Sequence, residues 1–363
     1  MKKIIVLLVL CIAVFEAYSQ QFCATDSYQE EMLQDSLYSE WFDSTTNEVE
    51  RLLSEGVAET ANTIMIPVAI HFNGAITNTD KCCLISASLA QIEVLNKDFA
   101  ALNEDISIYQ NLTNASPACR DAFPSSALFD GTLIQFYIAT SNHPESSGLT
   151  DGDYAITIGQ ESWPNAGAEW SGYLNIFVED DLEYRGIADL GGAANPNGNG
   201  IQIRNDGFGG PGLNCNSGVN FNTATNHNLG RVGTHEAGHY FGLYHVFQGS
   251  GCSGTGGDGI DDTPTQDGPN DGVPELDNAF TCETTAMSCD TQDFYMNYMD
   301  YTDDEVRVMF TTDQAAKMDE IALLGSWRTD VNEVAACGSL PVPLLSDYNL
   351  VSNCPSLEVD LGT

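Results

Sequence analysis

Three histidines and a glutamate fall between His235 and His245, in the stretch HEAGHYFGLYH; since the whole chain has only six histidines, this is a concentration and not a scatter. Neutral imidazoles bind a divalent ion such as zinc, and a carboxylate beside them can take a proton from a metal-bound water. Three imidazoles fill three of zinc's four tetrahedral positions. The fourth is left for water, the arrangement of a catalytic site and not of a closed structural one.

Such chemistry needs elements that bring these side chains together. The spacing predicts a helix carrying His235 and His239 one turn apart on one face, with Glu236 beside them. A third ligand ten residues after the first cannot join them on a continuing helix, where it would lie roughly 15 Å along the axis. The chain must turn back, and Gly242 permits it, because glycine ends helices in the left-handed conformation at little cost.

A bare HExxH recurs by chance, and a methionine is usually core filling. The extension HExxHxxGxxH is far more specific, and here Asn297-Tyr298-Met299-Asp300-Tyr301 follows it, the tight methionine turn that accompanies this motif in the metzincin metallopeptidases. The sequence resembles the pappalysin branch of metzincins. The likeness is carried by GRVGTHEAGHYFGLYHVFQG at 230–249, GDGIDDTPTQ at 257–266 and NYMDYTDDEVRVMFTTDQAAKM at 297–318. Weaker likeness lies in IPVAIHF at 66–72, QIEVLNKDF at 91–99, LIQFYIA at 133–139 and YLNIFV at 173–178, so that it spans roughly residues 62–330.

That resemblance implies an α+β zincin fold: a twisted mixed sheet with the active-site helix in an upper subdomain, and an irregular lower subdomain containing the Met-turn at Met299. It implies zinc held by His235, His239 and His245, with Glu236 as general base and Tyr301 offering its hydroxyl to the tetrahedral oxyanion. The strand at 174–178 would approach the cleft and pair with an extended substrate. Cys23, in Gln21-Phe22-Cys23-Ala24-Thr25, resembles the Cys-Gly-Thr element that opens the pro-segment of related enzymes, where a thiolate can fill the open zinc position. Ala24 stands where relatives have glycine, and an ordinary disulfide is the other reading of Cys23.

Asp258, Asp261, Asp262 and Thr263 form an acidic, glycine-punctuated loop whose hard oxygens suit calcium, which the family binds in this region; a solvated acidic loop is the alternative. Glu305, with Asp304, follows the Met-turn where the family shapes the pocket for the residue after the scissile bond. An acid there favours arginine or lysine, and an exposed charge pair is the competing reading.

The rest of the chain fits a secreted hydrolase. Met1-Lys2-Lys3, an apolar run from Ile4 to Phe15 and Ala17-Tyr18-Ser19 read as a signal peptide over 1–19, too short to span a bilayer. Residues 20–60 read as a removable pro-segment with helical patterning from Tyr28 to Leu53, 61–335 as the catalytic domain, and 336–363 as a tail or the start of an appended module. A strand is expected at 63–72, a helix at 86–102, strands at 133–139 and 174–178, and a helix at 312–324, with long surface loops over 186–220. A formal charge of −40 repels phosphates and argues against nucleic-acid or anionic-membrane partners.

Eleven cysteines in an exported chain predict disulfides, ten of them remaining once Cys11 leaves with the signal peptide. The resemblance pairs Cys252 with Cys289; Cys282 lacks its usual partner at Val306, and Cys215 is the candidate. Adjacent Cys82 and Cys83 cannot easily bond each other, so one could pair with Cys119, and Cys337 with Cys354. With Cys23 set aside the count is odd, which leaves a further thiol. The expected protein is a monomeric secreted zinc endopeptidase with calcium, acting on proteins or peptides. A secreted adhesive or binding protein that retains the fold is the alternative.

Overall fold

The computed structural model describes residues 22–331, apart from 57–61, 74–80, 165, 181, 196–199, 212, 214–220, 222, 250, 253–256 and 279–282. The signal peptide, the C-terminal tail and Cys215, Cys282, Cys337 and Cys354 lie outside the described residues.

Two helices open the chain, α1 (Thr25–Met32) and α2 (Ser36–Glu55), the second started by Asp35, whose carboxylate accepts from the Leu37 and Tyr38 amides. Strand β1 (Ile64–Phe72) follows, then α3 (Lys81–Phe99), α4 (Ser107–Ala115) and α5 (Pro117–Ala122). The sheet is completed by β2 (Ile134–Ile138), β3 (Ile156–Ile158), β4 (Leu174–Glu179), β5 (Gly186–Ala188) and β6 (Ile201–Arg204). Helices α6 (Arg231–Tyr240) and α7 (Thr312–Leu324) come last, α7 held at its start by a reciprocal cap between Thr311 and Gln314.

The strands run in the order β2-β1-β4-β6-β5, with β3 also on β1. All pairs are parallel except β5 with β6, so the sheet is mixed, as expected. Strand β1 is buried continuously from Ile66 to Phe72, the pattern of a central strand covered on both faces. Its proline, Pro67, falls just before pairing with β4 begins at Val68, so the missing N–H breaks no bond there.

Two expectations are corrected. Residues 186–220 are not loop throughout, since β5 and β6 lie there and are fully buried. And β4 cannot receive a substrate strand, because β1 and β6 occupy its two edges; β5 is the edge strand. The first has a local cause, since strands of three and four residues set among glycines and asparagines are too short to show a period, whereas the second expectation rested on the resemblance.

The site is braced from behind. Phe99 of α3 packs edge-on against Phe136 of β2, Phe241 after α6 and Phe310, with ring centroids 5.0, 5.9 and 5.3 Å away. A buried polar set ties the start of α6 to its surroundings: Thr234 donates to Asp98 at 2.7 Å, and Arg231 donates to the Asp304 carbonyl at 2.6 Å and to Asp105 at 2.7 Å. A disulfide joins Cys252 to Cys289 as the resemblance implied, and Cys82, Cys83 and Cys119 are also disulfide-bonded. Among the described residues, no helix is long and apolar enough to cross a membrane.

Candidate metal centre

Helix α6 ends at Tyr240, and Gly242 takes φ of +87° with its amide bonded to the His239 carbonyl. The chain reverses there, and His245 returns to the two histidines of the helix. The three Nε2 atoms lie 3.1, 3.1 and 3.3 Å from one another.

What faces inward is decided by what the far nitrogens do. The Nδ1 of His235 bonds to the Tyr298 carbonyl at 2.7 Å, that of His239 to the Leu243 carbonyl at 2.7 Å, and that of His245 to Asp26 at 3.0 Å. Each Nδ1 is therefore the donor, and three Nε2 lone pairs point at one another. Burial pushes His235 well below the usual imidazole range and His239 down to about 3, so both of these rings are neutral. Converging lone pairs repel unless a cation lies between them. Tetrahedral zinc with bonds near 2.0 Å would set its nitrogens about 3.3 Å apart, which the observed spacing matches.

Glu236 is fully buried beside this triangle, and burial pushes its carboxyl up to about 8. It lies against the edge strand: a Cβ on Gly186 would come within 2.3 Å of its Oε1. On the other side of α6, a Cβ on Gly238 would come within 2.5 Å of the sulfur of Met299, which is itself completely buried. Both glycines are thus required by close approach. The Tyr301 hydroxyl lies 3.2 Å from Nε2 of His245, at the rim of the triangle.

The N-terminal segment fills the cleft. It runs parallel to β5, with the Phe22 carbonyl accepting from the Arg185 and Gly186 amides at 2.9 and 3.2 Å, and the Ala24 amide donating to Gly186 at 3.0 Å. Cys23 is a buried thiol whose sulfur and the three imidazole nitrogens all lie within 4.8 Å of one another. Thr25 accepts from the Ala188 amide at 2.9 Å and donates to Glu236 at 3.3 Å, while the Cys23 sulfur is 3.5 Å from the same carboxylate oxygen. Further along, Tyr38 donates to Asp189 at 3.1 Å.

In the acidic loop, Asp258 accepts from Thr263 at 2.8 Å and from the Ile260 amide at 3.1 Å, and Asp262 accepts from the Asp313 amide at 3.0 Å. The other oxygen of each carboxylate, Oδ2 of Asp258 and Oδ1 of Asp262, is buried without a hydrogen bond. Desolvation pushes Asp258 up to about 6. Asp261 is exposed. Carboxylate oxygens without a partner are donors of the kind calcium takes, with the Lys317 ammonium as a competing charge near Asp258.

Glu305 is exposed, whereas Asp304 is buried and already accepts from His227, the Leu229 and Arg231 amides and Arg307. Sequence reasoning missed Phe22, Thr25, Asp26, Gly186 and Arg307. The first two flank Cys23, and Arg307 is the one basic residue between 297 and 316.

A helix bearing two imidazoles and a carboxylate, with a third imidazole returned by a glycine turn below the edge of a mixed sheet, defines a zincin-type metal centre. The family described as pregnancy-associated plasma protein-A matches residues 155–322. An extracellular metalloprotease of Neurospora crassa is 31% identical over 233 residues, covering 59% of this chain and 73% of that protein. One from Colletotrichum graminicola is 46% identical over 99 residues, which are 26% of this chain and 31% of that protein, so the chain spans about a third of that relative. Among solved structures, a promirolysin variant of Tannerella forsythia superposes with a TM-score of 0.56 at 25% identity, covering 83% of this chain and 93% of that one. Mature mirolysin of the same organism, in complex with a cleaved peptide, gives 0.50 at 28%, covering 71% and 91%. The chain belongs to the pappalysin family of metallopeptidases.

Proposed function

We propose that this chain is a zinc-dependent endopeptidase that is made latent and acts on proteins or peptides outside the cell. The observation that carries the reading is the convergence of three Nε2 lone pairs beside the buried carboxylate of Glu236. Zinc held by His235, His239 and His245 would supply an acidified water and a polarised carbonyl. Glu236 takes a proton from that water and returns it to the leaving nitrogen. Tyr301 donates its hydroxyl to the oxyanion, and its 3.2 Å distance to His245 supports this placement. Met299, packed under Gly238, is read as the Met-turn residue.

Residues 22–56 act as the pro-segment within a precursor of domains 1–19, 20–60, 61–335 and 336–363. Cys23 is the switch, occupying the ligand position that a substrate-activating water needs. Once Phe22 to Thr25 leaves, the backbone groups of Gly186 and Ala188 are open to an extended peptide, which adds as a strand. Calcium bound through Asp258, Asp262 and Thr263 holds the loop after α6. The relatives named extracellular metalloproteases support export. The protein is proposed to act as a monomer.

Glu236→Ala separates this reading from an adhesive or binding protein on the same fold. The variant should keep its zinc and lose all cleavage of an unstructured protein, as a chelator-treated wild type should. Retained cleavage in the variant would remove Glu236 as the base; no cleavage by zinc-loaded, processed wild type would favour the binding protein.

A further inference from the structure

We infer that the slot now filled by Phe22 is the side-chain pocket of the cleft, and that Arg307 makes it take an aromatic side chain and refuse lysine and arginine. This rests on the peptidase reading above and names the substrate feature that the site selects. The Phe22 ring is 7% exposed and touches the machinery directly: its centroid lies 5.1 Å from that of His235, 4.9 Å from Tyr301 and 4.9 Å from His227. The slot is therefore immediately beside the histidine triangle, where a substrate side chain flanking the cleaved bond must go. Its remaining wall is Arg307, whose guanidinium lies over the ring at 4.6 Å, inside the range where the negative face of an aromatic ring attracts a cation.

The charges around the slot decide which side chain it admits. Arg307 is completely buried; one nitrogen donates to Asp304 at 2.6 Å, another to the Asp300 carbonyl at 3.2 Å, and Nε has no hydrogen bond. Asp304, the carboxylate that holds Arg307, already accepts from His227, Leu229, Arg231 and Arg307. Arg185, whose amide holds the Phe22 carbonyl, adds a second positive charge that bears on both His227 and Arg307, and its own partner Asp206 is 3.7 Å away. A lysine or arginine entering here would bring a like charge against the buried Arg307 guanidinium, at high electrostatic cost. An aromatic ring buries apolar area and offers its face to Arg307. Glu305, the acid that would have favoured a basic side chain, is exposed and makes none of these contacts.

Two measurements on the full chain test this. In the Glu236→Ala protein, which cannot process itself, amide exchange at Ala24 reports whether the slot is filled, independently of catalysis, because that amide is bonded to Gly186. Phe22→Tyr should keep the protection, and Phe22→Lys should lose at least ten-fold of it. Equal protection with lysine would overturn the proposal. In the processed wild type, mass spectrometry of products from a complex peptide library should show Phe, Tyr or Trp beside the cut at least ten-fold above Lys or Arg, and Arg307→Gln should narrow that ratio. A basic preference would overturn the proposal and transfer selection to Glu305. No cleavage at all would sink the peptidase reading and leave the exchange result to judge the slot.

Discussion

The hydroxyl of Thr25 donates to Oε2 of Glu236 across 3.3 Å, so the N-terminal segment grips the proposed base as well as the ligand triangle. The latency proposed above would then have two parts, the Cys23 sulfur beside the three imidazoles and a hydroxyl on the carboxylate. In the unprocessed chain, Cys23→Ala should raise cleavage of a quenched peptide at least ten-fold. Thr25→Val, with the thiol intact, should raise it less. If both variants stay as silent as wild type, latency rests on neither contact.

Gly186→Ala places a methyl group where Oε1 of Glu236 now lies, 2.3 Å from the new carbon. Either the edge strand or the carboxylate must move, and displacement of about 1 Å in a catalytic group can cost two orders of magnitude in rate. The prediction is a loss of at least ten-fold in kcat/KM with zinc content unchanged. Wild-type activity in this variant would show that the strand can shift freely.

Gly238→Ala meets the Met299 sulfur at 2.5 Å, with both groups fully enclosed. Overpacking of this kind costs roughly 1–3 kcal/mol. Urea denaturation should register that loss, and Met299→Ala introduced into the same background should recover part of it. A single variant as stable as wild type would mean that the helix and the turn below it are not tightly packed.

The Cys252–Cys289 bridge closes a loop with a sequence separation of 37. By chain entropy, replacing both residues with serine should cost about 4 kcal/mol. Calcium is expected to support the same region through the stranded oxygens of Asp258 and Asp262. Removing it with zinc retained should lower Tm, and Asp258→Asn should abolish that response; an unchanged Tm would argue for a solvated loop.

His71 supplies a pH dependence away from the metal ligands. It is buried between Thr157 and Asn175, at 2.8 and 3.0 Å, and burial lowers its pKa to about 4. The unfolded chain, with an ordinary imidazole near 6.5, binds the proton first. Stability from this group is therefore full above about pH 6.5 and is lost as pH falls towards 4, by roughly 3 kcal/mol. Denaturation from pH 7 to 4 should show a smaller decline for His71→Asn than for wild type, and identical slopes would rule the histidine out.

The chemistry of HEAGHYFGLYH is legible in the sequence because its spacing alone forces a helix, a turn and a convergence. The bounds of α7 are legible for a similar local reason, since Thr311 and Gln314 cap one another three residues apart. What could not be read is non-local or too short. Asp26 meets His245 over a separation of 219 residues, and Thr25 meets Glu236 over 211, distances at which no pattern survives. Strand β5 has three residues and no period, so nothing in the sequence marks it as the cleft's edge, and the resemblance points to β4 instead. Arg307 was visible as a lone base in an acidic stretch; only its place against Phe22 gave it meaning.

Four consecutive side-chain and backbone features of Phe22 to Thr25 cover the whole centre while following β5 in the parallel sense. A ring, a soft metal-seeking head and a hydroxyl, spaced by a short extended backbone, amount to a pharmacophore written by the protein against itself. Medicinal chemistry could begin from that tetrapeptide, building ligands selective for this protein around the Arg307 wall.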